Sequence, residues 1–275
     1  MMTMIEGIGT PSEDPFQNYA ADGARFDEMV EANGAIRPHW TPYARRFAAF
    51  TQNERIGRFE KLRRLVRENG IAQDLLAEAH DTDEPWKIDL MPLILSAEEW
   101  ELLERATIQR ARLFSKLLAD LYGDQALLRE GHLPPQLILG DPTFLRAMKG
   151  TAEGRGRIAF FAADYTRGAD GRWRILDNHA ETVAGAGFAL ANRIVHSHVS
   201  SELFREVNAV RLAPYFNAMY SELLARAGRD DATIALLTPG AGHEDYFGHA
   251  YLARYFGFLL VEGGDLRIVG KFASI

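Results

Sequence analysis

The stretch from Arg157 to His179, RIAFFAADYTRGADGRWRILDNH, constrains the fold most, because it reads as a β-hairpin. Runs of Ile, Phe, Tyr, Trp and Leu flank Asp170-Gly171. An Asp-Gly between two apolar runs is the strongest short-range signal for a two-residue type I′ turn. Counting outward from that turn pairs Ala169 with Arg172, Arg167 with Arg174, Thr166 with Ile175 and Asp164 with Asp177. Side chains alternate along a strand, so Trp173, Ile175, Asp177 and His179 are expected on one face, with Asp164 beside them. Two carboxylates directly opposed repel, so the pair calls for a cation, a shared proton or an intervening Arg or Lys. Among cations, Mg²⁺ suits such a pair, because it is typically held by one or two carboxylates plus substrate phosphates. The competing reading is a bulge that shifts the register and leaves both aspartates solvated.

Composition narrows the class. At 275 residues the chain is long enough to bury a sizeable core as one large domain or two small ones. With 31 Lys+Arg against 38 Asp+Glu, the net charge of -7 offers no basic field for a nucleic-acid backbone or an anionic membrane. The absence of cysteine excludes disulfides, Cys-ligated zinc, iron–sulfur clusters and a thiol nucleophile. The first residues, MMTMIEGIGTPSEDPF, are acidic and lack the basic and apolar regions of a leader, and no later run approaches a membrane span. A cytoplasmic protein is expected, with neither nucleic acid nor membrane as partner.

Along the chain, residues 1–22 read as a loose tail. Apolar spacing predicts a helix over Thr51–Glu68, stopped by Asn69-Gly70, and a second helix from Ile71. The clearest helix runs from Ala97 to Leu121 or Tyr122: Ser96 and Glu99 form a capping box and Gly123 ends it. A short helix over Asp124–Glu130 follows, then an extended passage whose Leu137-Ile-Leu139 is a candidate first strand. Trp100, Phe114, Tyr122, Phe216 and Tyr220 sit at helical spacing and are expected in the core. Helical spacing returns over Phe188–Val207 and Arg211–Ala227. The small-residue loop Ala180–Gly187 enters the first of these and can offer backbone N–H groups to an anion. His196 and His198, two apart on a helix, do not face one another, and His39 and His249 read as packed side chains.

The last quarter reads as a βαβ unit: strand Thr233–Leu237, helix Glu244–Tyr255, strand Phe258–Val261. Its connecting loop, Thr238-Pro-Gly-Ala-Gly-His-Glu244, lies where the carboxyl end of a strand meets a helix, the usual ligand position in open α/β sheets. Gly240, Gly242 and His243 are the substrate-side candidates. Two strands fall short of a normal sheet, so further strands are expected.

Several stretches together resemble the circularly permuted ATP-grasp proteins, type 2, related to the synthetase half of glutathionylspermidine synthase. They are Phe26-Asp-Glu-Met29 with Arg37-Pro-His-Trp40, Leu117–Gly131, Leu133-Pro-Pro-Gln136, the hairpin, Gly185–Arg193, and Leu237–Leu266. The branch is similar to the one associated with alpha-E helical domains. The resemblance implies a permuted order in which the metal-ligand subdomain comes first and the Rossmann-like leading subdomain second. The lysine-bearing ATP subdomain follows, so the chain is expected to be an amino-terminal portion.

The fold class expected is therefore α/β (α+β). It combines a helical amino-terminal region with the metal-motif hairpin over 23–230, and an incomplete Rossmann-like unit over 231–275. By resemblance, Asp164 stands at the family's strand Asp, Asp177 at its Glu and His179 at its Asn, as metal ligands. Asn178, Gly185 and Gly187 are the cofactor side. Ala162 stands where glutathionylspermidine synthases carry a phosphate-binding Arg, and Val183-Ala184-Gly185 where the family has Pro-Ser-Gly. The implied chemistry is ligation of a carboxylate to an amine, in a small molecule or peptide, with ATP and Mg²⁺ and an acyl phosphate intermediate. A chain carrying the ATP-binding subdomain or an alpha-E domain is the implied partner. The alternatives are a non-catalytic docking module and, more remotely, a metal-dependent hydrolase.

Overall fold

The computed structural model describes residues 14–17, 19–72, 86–151, 156, 158–180, 185–229, 231–270 and 272–275. The helix expected from Ile71 falls on 73–85 and most of the expected tail on 1–13, both outside the described residues. Helix α1 (Thr41–Ala48) starts with a proline in its first turn, where the missing N–H costs no intrahelical bond. In α2 (Gln52–Glu68) the Thr51 side chain accepts from the Glu54 N–H while Glu54 accepts from the Thr51 N–H, satisfying two otherwise orphaned donors. The long helix α3 (Ala97–Tyr122) opens with the same box, Ser96 with Glu99.

Past Gly123 come two short helices, α4 (Ala126–Arg129) and α5 (Pro135–Leu139). The second replaces the strand expected at Leu137–Leu139. Pro135 at the first helical turn presets φ for a helix, and Leu137 is 66% exposed, so no buried sheet position exists for it. Strands β1 (Ala162–Arg167) and β2 (Trp173–His179) form the antiparallel hairpin. The helix expected over Phe188–Val207 is two, α6 (Ala186–Val199) and α7 (Ser201–Glu206), because Ser200 leaves helical geometry at φ -145, ψ 50. Helix α8 (Ala213–Ala227) follows.

Strand β3 (Ala235–Thr238), helix α9 (Tyr246–Phe256) and strand β4 (Leu259–Glu262) form the expected βαβ unit, with β3 and β4 paired in parallel. A small antiparallel pair, β5 (Arg267–Val269) with β6 (Phe272–Ser274), closes the described chain.

One buried cluster joins the aromatic residues Trp40, Tyr43, Phe47 and Phe50 to Phe188 and Val195 of α6 and Phe247 of α9. A second holds Phe216 of α8 between Leu190 of α6 and Leu252 of α9. Helix α6 thus supplies both. Phe216 is buried as expected, whereas Trp100 is 53% and Tyr220 38% exposed: helical spacing does not say which stripe of a helix finds a partner.

Candidate functional site

The hairpin reaches the expected pairing by a different route. Its loop has three residues, Ala169-Asp170-Gly171: Gly171 N–H donates to Gly168 O at 2.9 Å, Gly168 N–H to Arg172 O at 3.0 Å, and Gly171 has φ 74. That is a type I turn followed by a left-handed residue, the usual three-residue solution. Arg167 therefore opposes Trp173, Thr166 opposes Arg174 and Tyr165 opposes Ile175, each one residue from the expected register. Leu176 then forms a bulge that restores the count, so Asp164 does oppose Asp177.

The bulge turns the end of β2 over. Leu176 is 71% exposed, Asp177 and His179 share its outward direction, and Asn178 turns inward. The expectation that Asp177 and His179 share a face with Trp173 and Ile175 is thus corrected: those two face the protein and the carboxylates face solvent. His179 Nε2 lies 3.0 Å from Asp164 Oδ2, and Asp177 Oδ1 accepts from the Asn178 N–H at 2.7 Å. Among the described residues no group of three His, Asp or Glu side chains is arranged to hold a metal ion by itself. Two opposed carboxylates do match the share of a Mg²⁺ shell that protein commonly supplies when phosphate oxygens and water complete it.

The inner face of the hairpin rests on one stripe of α3, spaced i, i+4, i+7, i+11: Leu103, Thr107, Arg110 and Phe114. Thr107 Oγ1 and the Tyr165 hydroxyl are 2.6 Å apart, Arg110 Nε donates to Asn178 Oδ1 at 3.0 Å, and the Phe114 and Phe161 rings lie 5.5 Å apart. Arg167, half-buried, is gripped from three directions. It pairs with Glu28 and with Glu99 at 2.7 Å each, and its guanidinium lies 4.5 Å from the Phe26 ring and 4.0 Å from Trp173. Burial pushes the Glu99 carboxyl up, but Arg167 and Ser96 outweigh it and hold the group below the usual carboxylate range. Sequence reading missed Arg110, Thr107 and Arg167; the helical spacing on α3 was the available signal for the first two.

Gly185 takes φ 81 at the mouth of α6, and among the described residues nothing lies within 4 Å of where a Cβ would stand. Gly187 is engaged in packing: a Cβ there would lie 2.3 Å from Gly248 O. The first turns of α6 and α9 are therefore in contact. In the loop between β3 and α9, Gly240 has φ 106 and a Cβ on it would meet the Glu262 carboxylate at 3.1 Å. Gly242 is exposed. His243 Nδ1 accepts from the Asp245 N–H at 3.2 Å, and its ring stacks on His249 with centroids 6.4 Å apart. His249 Nδ1 is 3.1 Å from Thr238 Oγ1, and burial, reinforced by His243, lowers its pKa against the pull of Asp245. His196 is buried and His198 exposed, as the spacing predicts.

The model for circularly permuted ATP-grasp, type 2, matches residues 92–273. The chain belongs to that family. The match of the permuted ATP-grasp family takes in α3, the hairpin, α6 and the βαβ unit. An uncharacterised protein of Mycobacterium tuberculosis is 35% identical over 261 residues, covering 90% of this chain and 29% of its own length. A second from the same organism is 32% identical over 244 residues, covering 88% and 44%. A Frankia alni protein, provisionally named a glutamate–cysteine ligase, is 30% identical over 253 residues, covering 89% and 29%. The chain thus spans between 29% and 44% of the length of these relatives. No helix among its described residues is long and apolar enough to cross a membrane.

Proposed function

We propose that this permuted ATP-grasp chain is the metal-ligand portion, with the beginning of the leading subdomain, of an ATP-dependent carboxylate–amine ligase. The reading rests on one observation: in a chain of this family, Asp164 and Asp177 are paired across two strands on a solvent-facing surface. Residues 23–230 carry the helical region and metal-ligand hairpin, and 231–275 begin the Rossmann-like unit. ATP would supply a phosphoryl group that makes the substrate carboxylate an acyl phosphate open to attack by an amine, with release of ADP.

The residues of the chain take the supporting roles. Asp164 and Asp177 would hold Mg²⁺, with His179 keeping Asp164 oriented through their 3.0 Å contact. The turn at Gly185 presents the N-terminus of α6, whose N–H groups favour phosphate oxygens. Gly240, Gly242 and His243 line the loop before α9 on the substrate side. The lysines that hold ATP would come from a chain or segment carrying the ATP-binding subdomain, an alpha-E domain would be a separate partner, and the setting would be the cytoplasm.

The test is calorimetric titration of Mg²⁺–ATP into the 275-residue chain and into its Asp164→Ala and Asp177→Ala variants. Saturable binding that weakens about tenfold or more in each variant supports the reading, that loss being about 1.4 kcal/mol. Binding unchanged in both variants would overturn it. No binding by any of the three fits both a ligase portion whose ATP-holding lysines lie outside it and a docking module that keeps the shape of the family. Mn²⁺ titration of the same three chains then separates them: weakening by both substitutions keeps the metal reading, and no binding of Mn²⁺ favours the docking module.

A further inference from the structure

We propose that His243 and His249 form a subsite for a carboxylate group, both rings uncharged and held as Nε2–H hydrogen-bond donors, with Thr238 as the positioning residue that fixes the tautomer of His249. That the carboxylate belongs to the substrate rests on the function proposed above. The three residues meet where β3 ends: Thr238 is its last residue, His243 stands in the loop that follows, and His249 lies near the start of α9.

Each ring has its Nδ1 occupied. A backbone N–H can only donate, so the Asp245 N–H at 3.2 Å makes His243 Nδ1 an acceptor and leaves the proton of the neutral ring on Nε2. Thr238 decides the case of His249. It is 2% exposed, and its hydroxyl has two contacts among the described residues, the Gly240 N–H at 3.4 Å and His249 Nδ1 at 3.1 Å. The Gly240 N–H donates, so the hydroxyl proton is left with His249 Nδ1 as its acceptor. The opposite tautomer would bury that proton with no acceptor, which is costly. Burial lowers the His249 pKa against the pull of Asp245 and keeps the ring uncharged at neutral pH. Neither Nε2 has a hydrogen-bond partner among the described residues, nor does either stand with their buried unpartnered atoms, so both are open to a ligand. Both can donate there, and neither can act as a base.

The rings lie 18° from parallel with centroids 6.4 Å apart, near enough for the two oxygens of one carboxylate to accept one N–H each. Charge narrows the ligand further. Residues 238–245 include no lysine or arginine; they include Glu244 and Asp245, and the Glu262 carboxylate lies against Gly240. Those charges repel a phosphate dianion more strongly than a singly charged carboxylate, which gains two charge-assisted hydrogen bonds from donors that carry no charge of their own.

With eight histidines in the chain, ¹⁵N-histidine labelling and two-bond ¹⁵N–¹H spectra read the tautomer of each ring, and His243→Phe and His249→Phe assign the two signals. In the unaltered chain both rings should show Nε2–H. Thr238→Val, which keeps the shape and loses the hydroxyl, should make His249 a mixture of tautomers and leave His243 as it is, and Thr238→Ser should restore His249. Sodium acetate, titrated at neutral pH, should move both Nε2 signals, and His249→Phe should weaken the acetate affinity read at His243 about tenfold. Acetamide and phosphate at equal ionic strength should move them far less. A proton on His249 Nδ1 in the unaltered chain would overturn the proposal at its first step. No response to acetate, an equal response to phosphate or acetamide, or a His243 response indifferent to His249→Phe would overturn the carboxylate subsite. Titration with Mn²⁺ and Mg²⁺–ATP reads other residues: failure there with the acetate response intact removes the ligase reading and leaves the subsite, and the reverse pattern removes the subsite alone.

Discussion

Gly187 has no room for a side chain. A Cβ would lie 2.3 Å from the Gly248 carbonyl oxygen and 2.6 Å from its Cα, backbone atoms that move only if α6 and α9 separate. Gly187→Ala should cost about 1–3 kcal/mol in equilibrium urea unfolding, the usual penalty of overpacking. Gly185→Ala meets nothing among the described residues but forces a left-handed φ on a residue with a side chain, worth about 1–2 kcal/mol. Comparing stability with nucleotide affinity in the two variants separates packing from binding. A large affinity loss in Gly187→Ala without a stability loss would return that glycine to the cofactor side. His196 gives a pH prediction. Burial first, then Arg193, lowers its pKa, so the unfolded chain takes up the proton first as pH falls below about 6.5. Stability should be flat at and above neutrality on this account and decline toward pH 5. His196→Asn should flatten that decline in a urea series across pH. At this scale the sequence separates His196 from His198 correctly by helical spacing, but nothing in a single sequence couples glycines 187 and 248.

Arg167 ties three elements together: the segment bearing Phe26 and Glu28, the first turn of α3 at Glu99, and β1 itself. Breaking a partly shielded pair leaves the partner charges short of a cation and removes the stacked guanidinium, so Arg167→Ala should cost about 1–3 kcal/mol in urea unfolding. Arg167→Lys should recover only part, because an ammonium cannot span both carboxylates and stack between Phe26 and Trp173. A cost below that of an ordinary surface substitution would show that the three elements are joined elsewhere. The capping boxes of α2 and α3 are legible because their residues are neighbours in sequence. The hairpin is legible as a hairpin for the same reason, but not its loop length: Asp170-Gly171 suits both a two-residue turn and a three-residue loop. The choice falls to Trp173, Ile175 and Tyr165 seeking α3. The bulge at Leu176 then reconciles that apolar face with two aspartates that must stay hydrated. The strand expected at Leu137 failed where a proline pair outweighed a short apolar run that carried no period.

Across the whole molecule, β-α-β order and the parallel pairing of β3 with β4 follow from apolar runs and a connecting helix, and the family match adds what periodicity does not carry. What sequence order hides is that α9, from the last quarter, packs on α6 and shares a buried cluster with α6 and α8. The division proposed at residue 230 would mark the permuted order of the parts, while the packing predicts that 23–230 and 231–275 unfold together. The four tryptophans, at 40, 86, 100 and 173, all lie before that division. Leu252 lies after it and is 7% exposed in the cluster around Phe216. Leu252→Ala should cost about 3 kcal/mol through the cavity it leaves. If the chain unfolds as one unit, tryptophan fluorescence should report that loss in full, at the same urea midpoint as far-ultraviolet circular dichroism. A fluorescence midpoint that stays in place while the dichroism curve splits would show that the last quarter melts alone. The contact between Gly187 and Gly248 would then join two independent folding units.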